Sequence, residues 1–230
     1  MSHADATLPA MLFDELTEVL DPEPHDAALN MALDEVLLAS CSGPLLRVYR
    51  WLRPAVSFGY FGKVADVEAA WPDREIVRRW TGGGIVPHGA DVTYTLAVPR
   101  SCAFARRAPE ETYRAIHERL AGFLTPWDDD VRVTDAAHPP VSGACFENAV
   151  RYDIIAARGK VAGAAQRRTR AGLLHQGSIQ GMPRPAEVAA LLGKTFATNL
   201  IRRPLSPDEL AAGVSLAAAR YATEAWLRRM

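Results

Sequence analysis

Cysteine is scarce and never clustered: the chain has three in 230 residues, Cys41, Cys102 and Cys145. With no C-x-x-C pair and an odd count, neither a disulfide framework nor a structural zinc site is expected. Free thiols suit a reducing compartment. Long apolar runs are missing as well. No stretch approaches the ~20 residues that span a bilayer, and Met1–Ala10 has neither the basic start nor the apolar core of a secretory leader. Charge is nearly balanced, at a formal net of -1, without the positive excess of a dedicated nucleic-acid binder. No internal repeat or low-complexity linker divides the chain. These absences imply a cytoplasmic protein built as one domain over residues 1–230, with no nucleic acid or membrane as partner.

What is present reads as a globular α+β protein. Hydrophobic residues make up 49% and charged residues 23%, the usual balance for a soluble domain. Leu29, Leu33, Val36 and Leu37 recur at helical spacing over 26–40, with Asn30, Asp34 and Glu35 largely off that stripe. Strands are expected at 45–51, 55–61 and 75–80, the first two separated by Arg53-Pro54. In 92–98, Val92, Tyr94, Leu96 and Val98 alternate with Thr93, Thr95 and Ala97, which predicts one buried face. A helix follows over 109–124, a short strand near 131–133, a hairpin over 152–165 and a strand over 173–180. The last third reads as helical. There Ser206-Pro207-Asp208-Glu209 is a capping box with proline at the first turn, and Leu210, Val214, Ala217 and Tyr221 form the expected buried stripe.

Three segments have chemical potential. In Arg78-Arg79-Trp80-Thr81-Gly82-Gly83-Gly84, three glycines after a strand allow positive φ and close approach of backbone to a ligand. Successive N–H groups there can converge on an anion, with the arginines adding charge and His88 close behind. In the second segment, Cys145 precedes Tyr152-Asp153 and the run from Gly159 to Gln166. A thiolate is a strong nucleophile and a thioester stays reactive toward amines; a cation such as Lys160 would favour the thiolate. From spacing alone the plainer readings stand first: Cys145 as a small buried hydrophobe, Lys160 as a solvated turn lysine. The third segment, Leu174-His175-Gln176-Gly177-Ser178, sets a histidine near a glycine in a strand, either lining a pocket or sitting in the core. Arg167, Arg168, Arg170, Arg202 and Arg203 could dock an acidic carrier protein, although a solvated loop is the simpler reading. Asp128–Asp130 reads as a solvated turn.

In order along the chain, Asn30–Glu35, Pro54–Phe61, Arg79–His88, Gly159–Gln166 and His175–Ser178 resemble the biotin/lipoate protein ligase and octanoyltransferase superfamily. Cys145-Phe146 and Asp91-Val92-Thr93-Tyr94-Thr95 resemble its cysteine-type octanoyltransferases. Gly84, Gly89 and Gln176 depart from their usual arginine, aspartate and histidine. The resemblance implies a mixed central β-sheet flanked by helices, the catalytic-domain fold of the lipoate–protein and biotin ligases, without the accessory C-terminal domain of larger ligases. It implies Cys145 and Lys160 as catalytic residues, and substrate contacts at Arg79, Gly82, Gly83, Gly84, His88, Gly163, Ala164, His175 and Gly177. By the same resemblance, octanoyl would pass from an acyl carrier protein to a lysine of a lipoyl-domain protein, such as the glycine cleavage H protein, with no metal and no cofactor. Two alternatives stay open. One is a lipoate–protein ligase that uses ATP and Mg to form an acyl-adenylate; the other is a non-catalytic acyl- or carrier-binding protein.

Overall fold

The computed structural model describes residues 10–136 and 149–229. In chain order these form β1 (Phe13–Leu20), α1 (Ala27–Ser40), β2 (Leu45–Tyr49), β3 (Ala55–Phe58), α2 (Val64–Ala70), β4 (Glu75–Arg78), β5 (Ile85–His88), β6 (Val92–Pro99) and α3 (Pro109–Leu124). They continue with β7 (Arg132–Val133), β8 (Ile154–Ala156), β9 (Gly159–Arg168), β10 (Gly172–Ile179), α4 (Pro185–Leu191), β11 (Ala197–Pro204), α5 (Pro207–Leu216) and α6 (Glu224–Leu227). Eight strands make one mixed sheet in the order β11-β1-β2-β6-β10-β9-β8-β7, and β4-β3-β5 make a second, smaller one. In the large sheet β11, β1 and β2 are parallel and the remaining pairings are antiparallel.

Both faces of the large sheet are covered. Leu46, Leu96 and Leu173 pack with Ile116, Leu120 and Leu124 of α3. Their strand neighbours Leu45, Ala97 and Leu174 pack with Leu37 and Leu38 of α1. Successive side chains therefore enter two different cores, and all eight residues of β6 are buried. The one-sided burial expected from its alternation is corrected here, because threonine and alanine occupy the second covered face. The same sandwiching corrects the reading of α1. Asn30 and Asp34 are fully buried, bonded to Arg47 of β2 at 2.7 and 2.9 Å. Arg47 also reaches Asp21 at 2.9 Å, so this buried guanidinium has the partners that its desolvation requires.

The last third is not wholly helical. β11 is an edge strand, paired only with β1, and mostly exposed. In α5 the capping box forms as expected, with Glu209 N 3.1 Å from Ser206 Oγ and Ser206 N 2.9 Å from Glu209 Oε2. Its buried stripe differs: Leu210 and Val214 are exposed, while Gly213, Ala217 and Tyr221 face inward. A Cβ at Gly213 would lie 2.6 Å from Leu33 Cδ2, so glycine is what lets α5 close on α1. Most of the basic cluster is spent internally. Arg167 bonds Trp80 O, Arg168 bonds Ala105 O and Thr112, and Arg202 and Arg203 pair with Glu18 and Glu209. Among the described residues, no helix is long and apolar enough to cross a membrane.

Candidate active site

A cavity opens where the small sheet meets the large one. Met31 of α1, Tyr49 and Trp51 near the end of β2, Ser57, Val86 and His88 of the small sheet, Arg79, Gly83, and residues 163–165 and 176–178 of β9 and β10 line it. Of the residues expected at the site, Arg79, Gly83, His88, Gly163, Ala164 and Gly177 therefore meet around one space.

The glycine turn is built as an arginine clamp. Arg79 Nη2 donates to Gly82 O at 3.0 Å and Gly84 O at 2.9 Å, and its Nη1 donates to Ser57 Oγ at 2.7 Å. Gly82 and Gly84 thus act through carbonyls that fix Arg79. Gly83 has a φ of 88°, the left-handed region where glycine is at no disadvantage. From the other side, Thr81 Oγ1 donates to Gln176 Oε1 at 2.7 Å, and Gln176 Nε2 donates to Asp34 Oδ2 at 2.7 Å. Arg78, expected to add charge at this turn, instead points away and donates to the carbonyls of Tyr60, Gly62, Leu227 and Arg229.

Lys160 is not a solvated turn lysine. Its Nζ lies 2.7 Å from Asp153 Oδ2, with the two side chains 2% and 0% exposed. Asp153 also accepts from Tyr113 Oη at 2.5 Å and from Val150 N at 2.7 Å. The lysine arm lies over Gly163, where a Cβ would sit 2.4 Å from Lys160 Cε and 2.6 Å from its Nζ. Gly163 is itself in the cavity wall, so the ammonium is held at the edge of that space.

His88 links three elements. Its Nδ1 lies 2.8 Å from Asp91 Oδ2 and its Nε2 2.6 Å from Ser57 Oγ. Trp51 stacks on the ring at 4.1 Å. Thr93 and Ser178 hydroxyls each donate to Asp91 Oδ2 at 2.7 Å, and Gly89 N donates to Oδ1 at 3.1 Å. Burial works against the carboxylate, but attraction to His88 and the bonds from His88, Ser178 and Thr93 outweigh it and hold the Asp91 pKa at about 2.

His175 is corrected from pocket to core. It is fully buried on the side of β10 away from the cavity, 3.2 Å from Tyr94 Oη and 3.1 Å from Gln166 Nε2. Burial, then repulsion from His117, push its pKa well down. Cys145 lies outside the described residues. Cys41 is a poor nucleophile, since burial pushes its thiol up to about 11. Sequence reasoning missed Ser57, Asp91, Asp153 and Tyr113 as members of the site. For Asp91 and Asp153 the available signal was a carboxylate directly preceding a strand, β6 and β8 respectively.

Comparison with known proteins places this geometry in context. The lipoyl protein ligase A/B catalytic domain matches residues 26–200. An octanoyltransferase LipM from Oceanobacillus iheyensis is 35% identical over 172 residues, 70% of this chain and 62% of that protein. Another from Kyrpidia tusciae is 39% identical over 171 residues, 66% of this chain and 61% of that protein. The chain thus matches about three fifths of the length of these relatives. Among solved structures, a lipoate-protein ligase A bound with ATP superposes with a TM-score of 0.73 at 20% identity, covering 93% of this chain and 98% of the other. A bi-partite lipoate protein ligase studied with its E2 lipoyl domain, from Thermoplasma acidophilum, gives 0.55 at 17% identity, covering 94% and 96%. These structural likenesses concern the fold. From the family match and the mixed sheet that carries it, the chain belongs to the lipoyl protein ligase A/B catalytic-domain family.

Proposed function

We propose that this protein is an acyltransferase that moves an octanoyl group from an acyl-carrier-protein thioester, through a thioester on Cys145, to a lysine of a lipoyl-domain protein. The observation that carries this reading is the buried ammonium of Lys160, held by Asp153 at 2.7 Å against a glycine in the cavity wall. The relatives reported above bear the name octanoyltransferase LipM, and one structural neighbour was studied with an E2 lipoyl domain. In this reading residues 1–230 act as one catalytic domain.

The thiolate of Cys145 attacks the donor carbonyl and the carrier thiol leaves. Lys160 polarises the carbonyl and stabilises the charge that develops on its oxygen. The acceptor amine then attacks the new thioester, forming the amide and releasing the thiol. Met31, Val86 and Ala164 give the cavity an apolar wall, and each methylene buried contributes about 0.8 kcal/mol to chain selection. The reaction needs neither ATP nor metal, because the donor arrives activated. The partners of this reading are an acyl carrier protein as donor and a lipoyl-domain protein, such as the glycine cleavage H protein, as acceptor.

The test is incubation with octanoyl-carrier protein in the absence of ATP. A hydroxylamine-labile octanoyl adduct on Cys145, and loss of amide product in Cys145→Ser, are expected. Transfer that demands ATP and magnesium and survives Cys145→Ala would replace this reading by that of a ligase.

A further inference from the structure

We propose that Ser57, His88 and Asp91 form a second acyl-accepting centre, in which Ser57 is the nucleophile toward activated acyl esters and thioesters. The three residues come from β3, from β5 and from the turn before β6. Ser57 and His88 both line the cavity.

The protons in this chain of bonds are fixed by elimination. An ionised Asp91 can only accept, so His88 Nδ1 carries the hydrogen of the 2.8 Å contact. In the neutral imidazole that acts as a base, Nε2 is then a bare lone pair, and the 2.6 Å contact has Ser57 Oγ–H as donor. The Arg79 bond to Ser57 Oγ at 2.7 Å uses an oxygen lone pair, so the two bonds are compatible. This is the geometry by which an aspartate, a histidine and a serine are recognised as a nucleophilic triad on unrelated folds. Trp51, stacked at 4.1 Å with an interplanar angle of 17°, keeps the imidazole in that plane. Four donors converge on Asp91 and preorganise the ion pair that appears when His88 takes a proton.

In the reaction, Ser57 Oγ attacks the acyl carbonyl and its proton passes to His88 Nε2. The oxyanion formed lies beside the Arg79 guanidinium. The C–S bond of a thioester, or the C–O bond of an ester, then breaks. The leaving group takes the proton from His88, and the acyl group stays on Ser57 as an oxygen ester. Water attacks that ester while His88 accepts its proton; the bond to Ser57 breaks, Oγ recovers the proton, and the free acid departs. The net change is acyl thioester plus water to carboxylic acid plus thiol. Nothing in it involves Cys145.

The full chain carrying Cys145→Ala, treated separately with p-nitrophenyl octanoate and with a fluorophosphonate probe, tests this by peptide mass mapping. Both reagents are expected to modify Ser57, and the octanoyl adduct should resist neutral hydroxylamine, as oxygen esters do. Asp91→Asn, with folding followed by circular dichroism, should slow modification by roughly 100-fold or more. Ser57→Cys keeps a hydrogen-bonding group in place and should make the adduct hydroxylamine-labile. An unmodified Ser57 under both reagents, or octanoate ester turnover undiminished in a folded Ser57→Ala protein, overturns the proposal. Cys145 labelling in the parent chain is read in parallel. A labelled Cys145 with a bare Ser57 defeats this centre alone, and the reverse pattern defeats only the cysteine route.

Discussion

The ammonium of Lys160 and the carboxylate of Asp153 meet at 2.7 Å with almost no access to solvent. Removing one member of such a pair leaves the other buried and uncompensated, which costs roughly 3–5 kcal/mol. Lys160→Met is therefore expected to lose activity and stability together, and by itself says little about chemistry.

Gly163→Ala separates the two effects. The new Cβ would fall within 2.4–2.6 Å of the end of the lysine arm and 3.2 Å from Asp153 Oδ1. The lysine end is flexible and can shift while keeping Asp153 as its partner, so the melting temperature should fall less than in Lys160→Met while the ammonium leaves its place at the cavity edge. Acyl transfer is expected to drop at least tenfold, about 1.4 kcal/mol in the barrier. Full activity in a folded Gly163→Ala protein would remove Lys160 from the mechanism.

Much of the local structure was legible in the sequence because its signals are local. Asp26 caps α1, accepting from Leu29 N at 2.8 Å; α3 occupies Pro109–Leu124 as its spacing implies; the Ser206 capping box opens α5. What escaped depends on distant partners. β11 is a polar edge strand that owes its form to pairing with β1, more than 170 residues away in the chain. Asn30 and Asp34 are buried only because Arg47 and Gln176 arrive from other strands. At the site, the glycine turn, His88 and the Gly163 region could be picked out as segments. The pairing of Lys160 with Asp153, and the placement of His175 on the opposite side of β10, follow from register, which no single segment encodes.

A second contrast concerns glycines of the clamp. A Cβ on Gly59 would lie 2.0 Å from Gly83 O and 2.7 Å from Gly82 C, both rigid backbone, whereas one on Gly82 would meet nothing within 4 Å. Gly59→Ala must drive the end of β3 away from the turn and is expected to destabilise by roughly 1–3 kcal/mol or more, as overpacking does. Gly82→Ala should stay within about 1 kcal/mol of the parent. Urea unfolding of both variants measures the difference, and equal midpoints would contradict the close approach.

Acid should weaken the fold through buried histidines. His117 donates from Nδ1 to Tyr152 O at 2.6 Å, while its Nε2 has no partner among the described residues. Burial, opposed in part by attraction to Asp153, lowers its pKa to about 4. A base whose folded pKa lies below its unfolded value near 6.5 binds protons preferentially when unfolded. Its stabilising share is intact above pH 6.5 and is lost as pH falls toward 4, on the order of 3 kcal/mol in all. His175, pushed down in the same way, adds to the trend. Urea midpoints measured from pH 7 to pH 4.5 should fall, less so in His117→Phe; a flat profile would show that neither ring is buried neutral.

Gln176 offers the sharpest test of the link between α1 and the glycine turn, because its amide donates to Asp34 and accepts from Thr81 at 2.7 Å each. Asp34 is already a costly carboxylate: burial raises its pKa although Arg47 pulls it down. Gln176→Glu keeps the shape but replaces the donor facing Asp34 with an oxygen. At neutral pH two carboxylates would then share a buried site, which neither desolvation nor repulsion tolerates. The introduced acid should have a folded pKa above its unfolded value of about 4.3, so the penalty grows as pH rises through that value toward the folded pKa. Relative to the parent at each pH, the variant is expected to lose more stability at pH 8 than at pH 5. A loss independent of pH would mean that the side chain at 176 and Asp34 are not in contact.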